Sequence, residues 1–263
     1  MVFASGHFKT ALEERAVENA SLVGLSRQVA LRRELDVIAN NVANMNTSGF
    51  KSGQMTFDEF LMPRARDDAF PRSDRSLSFV EDRATWHDFS GGAVQQTGAP
   101  TDVAIDGEGF FAVQTEGGVR YTRNGAFQIN SAGELVTNEG ARVLSNAGPI
   151  QFAPTETGVT IGPDGTIATS EGVRGKLRIA VFASLQGMTK EGSSLFRASE
   201  EPTDATARTR VVQGAVEKSN VRPIYEMSRL VEVTRSYESV TSMLQKQDEM
   251  RRSAIERLAD VPA

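Results

Sequence analysis

Residues 35–51 read Leu35-Asp36-Val37-Ile38-Ala39-Asn40-Asn41-Val42-Ala43-Asn44-Met45-Asn46-Thr47-Ser48-Gly49-Phe50-Lys51. The stretch opens as an amphipathic helix. Leu31, Leu35, Ile38, Val42 and Met45 recur at alternating intervals of four and three, the spacing of a coiled-coil seam. Asn40, Asn41 and Asn44 sit in the same turns, although an asparagine amide competes with the helical backbone. Asn46-Thr47-Ser48-Gly49 then stops the helix, with Gly49 suited to a left-handed cap. Taken one at a time, these residues suit a core helix that ends in a polar turn.

The rest of the chain sets the bounds. It has 263 residues, 39% hydrophobic and 24% charged, enough to bury a core in one or two domains. A net charge of −5 gives no sign of a nucleic-acid partner. The absence of cysteine excludes disulfides and thiolate metal sites. No apolar run approaches the ~18–20 residues of a membrane helix, which argues against membrane insertion. Residues 1–18 carry charges throughout and lack the continuous apolar centre of a secretory signal, so any export is expected to bypass a cleaved signal peptide.

Glycine divides the chain into zones. Sixteen of the 23 glycines fall between Gly91 and Gly175, and none follows Gly214, which predicts a turn-rich β region between two helical ends. Val103-Ala104-Ile105 leads through Asp106-Gly107-Glu108-Gly109, expected to be a hairpin turn, into Phe110-Phe111-Ala112-Val113-Gln114. Gly117-Gly118 turns the chain into Val119-Arg120-Tyr121-Thr122-Arg123. Asn124-Gly125 then gives the strongest hairpin signal, a type I′ turn into Phe127-Gln128-Ile129. Turns at Ala132-Gly133, Asn138-Glu139-Gly140 and Pro163-Asp164-Gly165 follow, and residues 176–183 (KLRIAVFA) read as one further strand. The fold class is therefore α+β with a mainly β core: one irregular sandwich or barrel-like domain with helices at both chain ends.

The C-terminal zone opens at Ser219-Asn220-Val221-Arg222-Pro223, and Pro223 is tolerable only in a first helical turn. Leu230, Val233, Tyr237, Val240, Leu244 and Gln247 then step by three and four, giving one helix to about Leu258. A seam so narrow wants a partner helix, and the N-terminal helix is the obvious one, so the ends should pair as a coiled coil. The expected layout is 1–16 extension, 17–60 helix and turn, 61–90 connector, 91–198 β domain, 199–216 return connector and 217–263 helix.

Chemical motifs are weak. His7 and His87 are far apart and show no metal-ligand pattern; His87 beside Trp86 reads as a packing residue. Residues 107–112 formally match G-x-G-x-x-A but open a strand, where a dinucleotide site must open a helix. Asp102, Asp106 and Glu108 lack calcium-loop spacing. No catalytic, metal or cofactor site is expected, although a hydrolytic β-domain enzyme and a coiled-coil scaffold or adhesin stay open as alternatives.

The asparagine-rich run closely resembles the N-terminal signature of flagellar rod and hook proteins, Asn-Asn-x-Ala-Asn-x-Asn-Thr-x-Gly-Phe-Lys. Two further blocks are similar to the same family in the same order. One runs from Ser90-Gly91-Gly92 through Phe110-Phe111 to Tyr121-Thr122-Arg123-Asn124-Gly125-Ala126-Phe127; the other is Gln213-Gly214-Ala215-Val216-Glu217-Lys218-Ser219-Asn220-Val221. The resemblance starts at about Val17, near Ser21-Leu22-Val23-Gly24-Leu25-Ser26. Residues 1–16 have no counterpart; Val17 is the expected native start, with an expression-vector remnant or a genuine extension as the alternatives. It implies an axial subunit of the flagellar basal body, in the proximal rod, with a distal-rod or hook-junction position as the alternative. Its partners would be itself, other rod subunits and the flagellar type III export apparatus. It also implies an assembly interface of Leu31, Leu35, Ile38, Val42, Leu230, Val233, Tyr237, Val240 and Leu244, with Asn40, Asn41 and Asn44 fixing register. Thr47, Gly49 and Phe50 would turn the chain outward.

Overall fold

The computed structural model describes residues 5–61, 78–192, 194–204 and 209–259, with side chains over 21–56, 86–192, 194–204 and 209–257. The charged run Arg64-Ala65-Arg66-Asp67-Asp68, His7 and part of the 199–210 connector lie outside the described side chains. Two helices flank the strands: α1 (Ser5–Ala43) and α2 (Pro223–Ala259). The strands are β1 (Gly53–Leu61), β2 (Ser78–His87), β3 (Val94–Gln96), β4 (Val103–Asp106), β5 (Phe110–Thr115), β6 (Gly118–Thr122), β7 (Phe127–Ile129), β8 (Leu135–Thr137), β9 (Arg142–Ser145) and β10 (Gly148–Pro149). They continue with β11 (Thr160–Ile161), β12 (Thr166–Thr169), β13 (Gly172–Lys176), β14 (Ile179–Val181), β15 (Thr189–Glu191), β16 (Leu195–Arg197), β17 (Thr203–Asp204), β18 (Arg210–Gln213) and β19 (Ala215–Glu217). The described residues fall into two compact units, one within Met1–Asn40, Gln54–Trp86 and Ile224–Ala263, the other within Asn41–Gly53 and His87–Pro223.

In the first unit, α2 begins at Pro223, where a missing N–H costs nothing. Every third or fourth residue from Glu226 through Gln247 is shielded, and Val233 is buried. Glu226 itself occupies this seam and is buried. On α1, Ile38 is buried while Leu31, Leu35 and Val42 are half-buried. The helices touch through their side chains. A Cβ on Gly24 would lie 2.7 Å from Leu244 Cδ2. Gln28 Nε2 donates to Thr241 Oγ1 at 3.0 Å and to Tyr237 Oη at 3.4 Å. Arg229 Nη2 donates to Glu34 Oε1 at 2.7 Å. Numbers rise along one helix as they fall along the other, so the two run antiparallel.

The second unit is built around β5. Its residues alternate faces, as a strand must. Phe111 and Val113 enter one core with Val103, Ile105, Phe127 and Ile167, whereas Phe110 and Ala112 enter another with Tyr121, Phe182 and Phe196. Both faces are covered, which explains why Phe110 to Val113 is a continuous apolar run. The main sheet runs β15-β16-β6-β5-β9-β8-β7, with β14 joining β5 to β17 and β10 pairing β9; β11-β12-β13, β4-β18 and β3-β19 form smaller sheets, and β1 pairs β2.

Several turns match expectation: Gly118, Gly133, Gly140 and Gly165 all take positive φ between or beside paired strands. Four readings are corrected. Asn124-Gly125 makes no I′ hairpin, because β6 pairs β5 and β16 while β7 pairs β8. Gly125 is required by close packing instead: a Cβ there would sit 1.7 Å from the Val103 carbonyl oxygen. The Asp106–Gly109 turn joins strands of different sheets and is not a hairpin, since β4 pairs β18. Residues 176–183 are not one strand; the chain leaves β13 at Lys176, Leu177 bridges Ser145, and β14 starts at Ile179 in another sheet. Finally, β2 runs through part of the stretch read as a connector.

Candidate functional site

Helix α1 ends at Ala43, and tight turns follow: Asn44, Met45 and Thr47 donate backbone N–H groups to the carbonyls of Asn41, Val42 and Asn44. Thr47 Oγ1 donates to Asn44 Oδ1 at 3.2 Å. Gly49 has φ +67°, the left-handed value expected of it. Its place is also sterically closed, since a Cβ would meet the Asn124 backbone nitrogen at 2.2 Å. Its N–H donates to the Glu217 carbonyl at 2.7 Å.

Phe50 and Lys51 follow these turns within the second unit. Phe50 is fully buried, with Lys190 Nζ 3.8 Å from its ring centroid. The Lys51 side chain is also fully buried, and its Nζ donates to the Ser90 carbonyl and to Glu217 Oε1, each at 2.6 Å. Glu217 Oε1 accepts a second bond from the Gly92 N–H at 2.8 Å. Glu217 Oε2 lies 2.9 Å from Arg123 Nε, without the alignment of a hydrogen bond. Arg123 extends two further N–H groups to the Gly109 and Gly107 carbonyls at 2.7 and 2.9 Å. One carboxylate thus faces two buried cations. Burial pushes the Lys51 and Arg123 pKa values down, and the Glu217 charge pulls both back up.

Two asparagine amides complete the cluster. Asn41 is buried; its Nδ2 donates to the Gly53 carbonyl and its Oδ1 accepts the Gly53 N–H, both at 2.9 Å. Asn220 Oδ1 accepts the Ser52 N–H at 2.8 Å while its Nδ2 donates to the Asp88 carbonyl at 2.7 Å. A side-chain amide offers the donor–acceptor pair of a peptide group, so each closes a ladder where no strand neighbour is available. His87 packs edge-on against Phe196, with ring centroids 5.6 Å apart. Burial first, then the Lys190 charge, lowers its pKa to about 4 against the pull of a bond to the Lys51 backbone, so it is neutral at pH 7.

The arrangement gathers the three motif blocks at one place: Asn41 to Lys51, Ser90 to Gly92 with Arg123, and Glu217 to Asn220. Of the expected assembly residues, Asn41, Val42, Asn44, Thr47, Gly49 and Phe50 fall in this unit, with Asn41, Gly49 and Phe50 buried, and the remaining helix residues fall in the other unit. Sequence reading missed Lys51 and Glu217 as partners. The only local signal was a charged residue inside an apolar strand, Val216-Glu217. Among the described residues no group of His, Asp or Glu could hold a metal ion, and no helix is long and apolar enough to cross a membrane.

Comparison with known proteins follows the same three blocks. Residues 22–51 match a family described as flagella basal body rod protein, residues 104–169 the flagellar hook protein FlgE/F/G D1 domain, and residues 212–257 the flagellar basal body rod FlgEFG protein C-terminal region. The chain is 41% identical to the flagellar basal-body rod protein FlgF of Caulobacter vibrioides, over 93% of this chain and 100% of that protein. It is 34% identical to FlgF of Mesorhizobium japonicum, over 92% and 98% of the two chains. It is 31% identical to the rod protein FlgG of Bacillus subtilis, over 86% and 94%. The chain belongs to the flagellar basal-body rod protein family, as a FlgF-like structural subunit of the rod.

Proposed function

We propose that this subunit occupies the proximal rod, polymerises along the rod axis with itself and neighbouring rod subunits, and carries torque without catalysing a reaction. Helices α1 and α2 act as a coiled-coil inner layer through Leu31, Leu35, Ile38, Val42, Leu230, Val233, Tyr237, Val240 and Leu244. Head-to-tail contacts between copies need not close into a ring, so they can build a tube. The chain leaves the cell through the flagellar type III apparatus without a cleaved signal. Isolated helices with narrow seams are marginal in water, which keeps such a chain export-competent until it stacks.

The observation that carries this reading is the buried polar cluster of the second unit. Lys51, Glu217, Arg123, Asn41 and Asn220 bond one another or nearby backbone. A torque-bearing subunit must resist deformation, and buried polar groups held by such bonds supply that resistance. Complementation of a strain lacking its own copy tests it. Asn41→Leu should leave a soluble, folded protein but reduce spreading in soft agar and the yield of complete basal bodies. Wild-type motility would overturn the reading.

A further inference from the structure

Among the described residues, strand β3 is paired on one side only, with β19. The ladder fixes which backbone groups are in use. Lys218 donates to the Ala93 carbonyl and Thr97 to the Gly214 carbonyl, so positions 93, 95 and 97 face β19. Antiparallel alternation then turns the N–H and C=O of Val94 and Gln96 the other way. All three β3 side chains are exposed, and Val94 is 48% exposed.

Val94 also lines a cleft of about 730 Å³ in the same unit. Apolar walls come from Phe89, Ile105, Val181 and Leu185. Asp106 and Glu108 stand exposed at its lining with no ion-pair partner among the described residues; Arg210 is opposite Asp106 in the β4–β18 ladder but outside ion-pair range. Glu217 reaches the cleft too, but its carboxylate is already held: Oε1 by Lys51 and the Gly92 N–H, and Oε2 by Arg123 at 2.9 Å, which shares the lining.

A free edge, an apolar cleft beside it, and two exposed carboxylates at its lining make one docking site. The geometry points to strand addition: an extended segment of a neighbouring axial subunit, alternating apolar and basic residues, pairs with the outer edge of β3. Its apolar side chains enter the cleft, and its basic groups meet Asp106 and Glu108. Backbone pairing supplies affinity, and the cleft and its charge supply selection. The charge complementarity argues for a basic occupant, and the rod reading, on which the inference rests, argues that an axial neighbour provides it.

The test uses the folded full-length chain and two fluorescein-labelled five-residue peptides, one alternating valine with lysine, the other valine with glutamate. By fluorescence polarisation the lysine peptide should bind at least about tenfold tighter than the glutamate peptide, with binding weakened by salt. Gln96→Pro deletes an N–H that the β19 ladder does not use, so it should leave the melting temperature near wild type and weaken binding about tenfold. The exposed pair Asp106→Asn and Glu108→Gln should weaken binding roughly threefold or more and flatten the salt dependence. Hydrogen exchange at Val94 and Gln96 should slow only with the lysine peptide. Equal affinity for both peptides, unchanged exchange at Val94 and Gln96, or no saturable binding at millimolar peptide would overturn the proposal. None of these results alters the motility outcome for Asn41→Leu, so the two readings fail separately.

Discussion

Deleting the Glu217 carboxylate should harm this protein more than deleting either cation it holds. The cluster has two buried cations and one carboxylate, with Lys51 at 2.6 Å and Arg123 at 2.9 Å from it. Glu217→Ala leaves two like charges buried together, frees the Gly92 N–H, and leaves Lys51 with the Ser90 carbonyl alone. Each lost pair is worth roughly 4 kcal/mol at about 4 Å in a medium of moderate polarity, partly offset by water entering the gap. Breaking a buried pair in this way costs about 3–5 kcal/mol. Lys51→Met keeps the Arg123–Glu217 pair, keeps Gly92 satisfied and fills nearly the same volume, so about 1–3 kcal/mol is expected. The sharper consequence is a change of sign. In a Glu217→Ala background, Lys51→Met removes an unpaired buried cation and should raise stability. Urea denaturation followed by far-ultraviolet circular dichroism on the four proteins gives the cycle. If Lys51→Met lowers stability by the same amount in both backgrounds, the groups are not coupled and the charge argument is wrong.

Three further outcomes follow from particular contacts. Gly49→Ala and Gly49→Asn should both destabilise by more than about 2 kcal/mol, because the clash at 2.2 Å with Asn124 adds to backbone strain; tolerance of asparagine would mean that only φ matters. His87 titrates near pH 4 in the fold and at its ordinary 6.5 when unfolded, so the unfolded chain binds the extra proton between those values. Stability should therefore fall as pH drops from 6.5 to 4, by at most about 3 kcal/mol, and His87→Asn should remove most of that slope in thermal melts. For the partly exposed Glu34–Arg229 pair, with side chains 13% and 25% exposed, a double-mutant cycle should give less than about 1 kcal/mol and shrink in high salt.

Much was legible without coordinates because it depends on neighbours in sequence. The heptad steps through Leu230, Val233 and Tyr237 mark the shielded stripe of α2, and Pro223 marks its first turn. Gly49 announced a left-handed stop, and Gly118, Gly133, Gly140 and Gly165 announced turns, because positive φ is a local stereochemical demand. The Asn124-Gly125 error shows the limit of that logic. The same dipeptide serves a hairpin or a close approach, and only the position of the Val103 carbonyl tells which.

The family and its three motif blocks, the helical ends, the turn-rich β centre and the individual strand alternations were determined by sequence alone, since periodicity and backbone stereochemistry act over a few residues. The tertiary structure decided the rest. It drew Lys51 and Glu217 together across 166 positions, and it turned Asn41 into a backbone surrogate for Gly53. Among the described residues it also left the outer edge of β3 unpaired beside a cleft with acidic residues. These outcomes depend on which segments become neighbours in space. A buried charge or an open strand edge has no local signature, because its energy is set by the groups that happen to stand opposite it.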